Sequence, residues 1–85
     1  MRKFKPSKAF KRDIAKIGLS EPLVEVLYLL LNDQPLPEKY HDHALSGDLQ
    51  AFRECHVRPD LLLMYKLSDE LLELARLGSH SELFK

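Results

Sequence analysis

Eighty-five residues, 45% apolar and 31% charged, make one folded domain and exclude both a disordered chain and a pair of domains. Thirteen Lys/Arg cancel thirteen Asp/Glu, and the longest apolar run, Val26 to Leu31, falls far short of the roughly 20 residues that cross a bilayer. Cys55 is the single cysteine, which excludes an intrachain disulfide, and a domain this small buries only about 60% of its unfolded surface, so a partner would add stability.

The chain opens on MRKFKPSKAFKR, which is basic but has no apolar core or cleavage site behind it. It does not read as a secretory leader, and a reducing cytoplasm is the expected compartment. Arg2 to Pro6 alternates weakly around Phe4 and predicts a short strand at a sheet edge. Ser7 is placed to cap a first helix whose apolar stripe is Phe10, Ile14 and Ile17, with Gly18 ending it in a left-handed conformation. Ser20 caps a second helix. In LVEVLYLLLN only Glu25 is charged, which predicts a helix buried over most of its surface. Pro35 and Pro37 then impose a loop, QPLPEKYHDH.

After the turn Ser46-Gly47-Asp48 the period changes. AFRECHV, LLLMYKL and LLELARL are three runs of strand length, joined by Arg58-Pro59-Asp60 and Ser68-Asp69-Glu70. LLLMYKL is apolar on both faces until Lys66, as a central strand would be. The expected fold is α+β, residues 1–85 as a single domain. Two N-terminal helices pack on an antiparallel sheet of three to four strands, with a short first strand at the N-terminus.

Neutrality hides an asymmetry. Residues 1–16 carry seven Lys/Arg against Asp13 alone, a balance of +6, and the remainder carries −6. A basic end on an acidic body can bind a polyanion; the plainer reading is a solvated helix face.

All four histidines lie in the second half. His43 falls in the loop before the sheet, Arg53 and His56 on the first hairpin strand, and Asp60 at the start of the next. Arg76 falls near the end of the last strand and His80 in the tail beyond. Strands one and three of an antiparallel meander can both flank strand two, so these side chains can meet at one rim. Two imidazoles, a carboxylate and a guanidinium suit RNA cleavage by its own 2′-hydroxyl. One group removes the 2′-OH proton, a second protonates the departing 5′ oxygen, and a cation offsets charge on the phosphoryl oxygens. Plainer readings stand beside this one. His41 is a solvated loop residue, Asp42 and His43 form a local pair, and Arg76 pairs with Glu73 or Glu54. The His/Cys spacing matches no standard zinc pattern, so no metal or other cofactor is expected.

The ordered strings YHDHALSG (40–47), FRECHVRPDLLLMYKL (52–67) and LARLGSHSELF (74–84) resemble the YafQ-type toxins of the RelE/ParE superfamily, the toxin halves of bacterial type II toxin–antitoxin pairs. The resemblance implies a RelE-like fold and a ribosome-dependent, metal-independent mRNA endonuclease. It also implies a catalytic set of His43, His56, Asp60, Arg76 and His80. His80 would be the proton donor, with the base left open among His43, His56 and Asp60. Arg76 would hold the scissile phosphate and Phe84 brace the substrate. Arg53, Lys8, Lys11 and Arg12 are the further expected RNA contacts. The implied partners are a cognate antitoxin, mRNA and rRNA in the ribosomal A site, and operator DNA through the antitoxin, with no membrane. Leu61 stands where some relatives place tryptophan, which would remove a stacking platform. The competing functions are a ParE-like toxin that binds DNA gyrase without cutting, and an inactive antitoxin-binding module. Neither needs the histidine set.

Overall fold

The chain opens in a strand, β1 (Lys3–Pro6), and passes through one residue into α1 (Lys8–Ile17), followed by α2 (Glu21–Leu31). That one residue, Ser7, serves both elements. Its hydroxyl oxygen accepts from the Phe10 N–H at 2.9 Å, and its O–H donates to the Ala75 carbonyl at 2.7 Å. A cap of this kind contributes about 1 kcal/mol, and here it also pins the helix start to the sheet. Gly18 ends α1 at φ 85°, its N–H donating to the Ile14 carbonyl. The computed structural model describes residues 1–84.

A 3₁₀ turn at Glu38–Tyr40 leads to the two-residue strand β2 (His43–Ala44). Then come β3 (Arg53–Arg58), β4 (Leu61–Leu67), β5 (Leu71–Gly78) and a single helical turn, α3 (His80–Leu83). The sheet order is β1-β5-β4-β3-β2. The β2–β3, β3–β4 and β4–β5 pairs are antiparallel, and β1 runs parallel to β5.

One face of this sheet carries the helices. Cys55, Val57, Leu63, Tyr65, Leu72, Leu74 and Leu77 pack there against Phe10, Leu23, Val26 and Leu30 in one buried cluster. Because strand side chains alternate, Glu54, His56, Leu62, Met64, Arg76 and Gly78 point to the other face. Gly78 is where α3 folds back. A Cβ on it would come 3.0 Å from Glu82 Oε1 and 3.5 Å from Leu83 Cδ2.

The expected helices, caps, hairpins and central strand are all present. Three details differ. The sheet has five strands, not three or four, because β2 adds an edge. It is mixed, because β1 reaches β5 through the rest of the chain and not through a hairpin, so nothing forces it antiparallel. And α2 is not buried over most of its surface. Leu23, Val26 and Leu30 are, but Val24 and Tyr28 face outward, Tyr28 at 63% exposure. A two-layer fold covers a helix from one side only.

Candidate active site on the sheet face away from the helices

Register decides which side chains meet. His43 lies opposite Glu54, Glu54 opposite Met64, and Met64 opposite Arg76, a single row across four strands. The next row is His56, Leu62 and Gly78, from which the chain enters α3 at His80. Neighbouring strands lie about 4.8 Å apart, so Glu54 and Arg76 are separated by roughly 10 Å between backbones.

Glu54 is the centre of the histidine end. It is 5% exposed, and its Oε1 lies 3.6 Å from His43 Nε2 and 3.9 Å from His56 Nε2. Its Oε2 is buried without a hydrogen-bond partner. Such an oxygen costs free energy unless something satisfies it, so it marks a place where a proton or donor can be received. His43 Nδ1 sits 2.8 Å from the His41 carbonyl. A carbonyl only accepts, so Nδ1 carries the proton and Nε2, facing Glu54, holds the lone pair in the neutral ring. The His41 ring meets the His56 ring edge-on, with centroids 5.7 Å apart. A cleft of about 630 Å³ opens beside these two rings, lined also by Glu25, Tyr40 and Arg58.

The loop that delivers His41 and His43 is tied down by Asp42. Its carboxylate accepts from Arg53 Nη2 at 2.9 Å and from the Tyr65 hydroxyl. The pairing raises the Arg53 pKa, and burial together with the Asp42 bond raises that of Tyr65. Arg53 therefore points to the helix side of β3, engaged with Asp42, and the structure does not bring it to the histidine face. Cys55 is buried on that same side. Burial, with the Asp42 and Glu54 charges behind it, pushes its thiol up to about 12, so it stays protonated and is no nucleophile.

At the other end of the row Arg76 is held by α1. Asp13 accepts from Arg76 Nε at 2.8 Å and from Nη2 at 3.3 Å. His80, the first residue of α3, is exposed, and its ring lies 5.0 Å from that of Phe84. Ser79 caps that turn in a reciprocal box with Glu82. Asp60 sits exposed in the β3–β4 turn, at the same end of the sheet as Gly78. Lys8, Lys11 and Arg12 are exposed on α1. Among the described residues no group of three or more His, Cys, Asp or Glu is arranged to hold a metal ion, and no helix is long and apolar enough to cross a membrane.

Sequence reasoning singled out His43, His56, Arg76 and His80 but missed Glu54 and Asp13. Glu54 was findable, being two residues from His56 on one strand and so on the same face. Asp13 was not, because the helix–strand contact that employs it has no local signature.

A family model described as the bacterial toxin of type II toxin–antitoxin systems, YafQ, matches residues 2–85. The chain is 48% identical over 56 residues to an mRNA interferase toxin YafQ of Escherichia coli; that match spans 66% of this chain and 61% of the relative. Among solved structures, a copper-bound variant of a toxin from Helicobacter pylori superposes with a TM-score of 0.93 at 44% identity, covering 99% of this chain and 100% of that one. The YafQ chain of the E. coli DinJ–YafQ complex superposes with a TM-score of 0.87 at 37% identity, covering 100% of both chains.

Proposed function

This chain belongs to the YafQ family of bacterial type II toxins, and from that premise we propose that it cuts messenger RNA in the A site of the translating ribosome. The observation that carries the proposal is the row His43–Glu54–Met64–Arg76, with His56 one step along and His80 just past the end of β5. Read as a site, the row would offer a base, a cation and an acid in the order a phosphodiester needs them, the exposed His43 and His80 and the half-buried Arg76 flanking the nearly inaccessible Glu54 and Met64.

The scissile phosphate lies over Met64, its non-bridging oxygens on the Arg76 guanidinium. His43 Nε2 takes the 2′-OH proton, since its Nδ1 is already committed to the His41 carbonyl. The imidazolium so formed faces Glu54 Oε1, which stabilises it and holds the ring in place. The 2′ oxygen attacks phosphorus in line and the P–O5′ bond breaks. His80 gives its proton to the departing 5′ oxygen, leaving a 2′,3′-cyclic phosphate and a 5′-hydroxyl end. His56 shares Glu54 with His43, and Asp60 lies on the same rim; both serve the base side. Phe84, against the His80 ring, braces the substrate. Lys8, Lys11 and Arg12 face rRNA. Arg53 acts through Asp42 on the loop that carries His43.

The partner that silences the toxin is a cognate antitoxin, as in the E. coli complex, and the paired proteins bind operator DNA through it. The test is toeprinting on programmed ribosomes. Wild-type protein should cut mRNA within the A-site codon. His80→Ala should lose both cleavage and growth arrest while still binding antitoxin. Growth arrest that survives His80→Ala would overturn the scheme.

A further inference from the structure

Of the first sixteen residues seven are cationic and one, Asp13, is acidic. That lone carboxylate is turned inward onto β5, 16% exposed at its side chain. β1 ends opposite Leu74, so beyond that point the edge of β5 has no strand beside it. Asp13 fills the gap: its Oδ2 accepts from both the Leu77 N–H at 2.9 Å and Arg76 Nε at 2.8 Å. Burial works against its ionisation, but the Arg76 guanidinium and the Leu77 N–H outweigh it and hold the carboxyl below its ordinary range.

A guanidinium has five N–H donors arranged in a flat fork. Asp13 engages Nε and Nη2, which is the side edge of that fork. Three N–H groups remain, and the Nη1/Nη2 end edge still presents a parallel pair, the geometry that matches two phosphoryl oxygens. We infer that Asp13 is the positioning residue for Arg76: by holding the side edge it fixes the plane of the guanidinium and presents the end edge to the phosphodiester. The inference rests on the RNA-cleavage reading above. It assigns α1 a part in catalysis without requiring any atom of α1 to touch the scissile bond.

The experiment is a double-mutant cycle in single-turnover cleavage on programmed ribosomes, using Asp13→Asn, Arg76→Ala and the pair. The asparagine oxygen in the Oδ2 place can still accept from the Leu77 N–H, so the sheet edge is kept, while the amide NH2 that replaces Oδ1 opposes Arg76 Nη2 and undoes the forked hold on the guanidinium. Asp13→Asn should lower the cleavage rate about tenfold with KM within about twofold, the pattern of lost transition-state orientation. Combined with Arg76→Ala it should cost nothing further. An equal loss in both backgrounds would make Asp13 merely structural, and an unchanged or faster rate would also overturn the inference. A second measurement uses wild-type protein and a 2′-deoxy oligonucleotide that cannot be cut. The Arg76 Nε–H resonance should be protected from exchange and should stay in place on binding while the Nη resonances shift. An Nε–H that exchanges freely, or is released by the oligonucleotide, sinks the assignment. Should wild-type protein leave mRNA uncut, the cleavage reading falls by itself, and the Nε–H measurement still decides what Asp13 does.

Discussion

At Glu54 the proposed chemistry and the stability of the fold pull in opposite directions. A carboxylate that is nearly inaccessible, with one oxygen unsatisfied, is an expensive thing to bury. In the proposed mechanism its Oε1 faces two imidazoles, His43 at 3.6 Å and His56 at 3.9 Å. Glu54→Gln keeps the shape and removes the charge. The imidazolium that forms when His43 accepts a proton would then face a neutral amide, so cleavage should fall by about 10²-fold, the low end of what a positioned acid–base group contributes. The melting temperature should hold or rise, because the buried charge is gone. Single-turnover rates and a thermal melt on the same preparation check both halves. A variant that loses stability along with activity would mean that Glu54 is a structural anchor.

Element boundaries were the legible part of this chain, because serine caps, a helix-ending glycine and the Pro59-Asp60 turn act within a few residues. Strand partnership was less so. The parallel pairing of β1 with β5 joins residues almost seventy positions apart, and α3 is a single turn whose capping box, Ser79 with Glu82, lies in the same short tail as His80. The site divides in the same way. Side chains within the β3–β4 hairpin follow from alternation and register, whereas the Asp13–Arg76 bond spans two elements and leaves no trace in spacing. What α3 contributes can be separated from the sheet. Its Leu83 rests over Gly78, while the β4–β5 ladder is complete without it. A chain ending at Gly78 should therefore keep the sheet and still fold, with a lowered melting temperature, but lose mRNA cleavage because His80 and Phe84 are gone. Circular dichroism and toeprinting check this pair of outcomes; cleavage by the shortened chain would remove His80 from the mechanism.

At the scale of the whole molecule, the proposal of cleavage in the ribosomal A site raises the question of how a protein of zero net charge would find a ribosome. The answer argued from the fold is segregation. Of the +6 balance of residues 1–16, β1 and α1 carry +5 and Arg2, paired with Asp33, the rest; Lys8, Lys11 and Arg12 all stand exposed on α1, whose inward face reaches Arg76. The compensating acids are spread over the rest of the chain, several of them neutralised locally, as Asp42 is by Arg53 and Asp33 by Arg2. Attraction to rRNA phosphates acts over about a Debye length, roughly 8 Å at physiological salt, so the approaching surface matters and the distant charges do not. Replacing Lys8, Lys11 and Arg12 together by alanine should leave folding intact, because all three side chains are solvated. It should weaken ribosome association, and it should flatten the dependence of log K on log salt by about one unit for each phosphate contact removed. Binding measured across a salt series reads this slope directly. An unchanged slope would place the rRNA contacts on some other face of the toxin. Cleavage of mRNA already bound in the A site should be far less affected by the triple substitution than association is, since none of the three side chains lies in the row from His43 to Arg76.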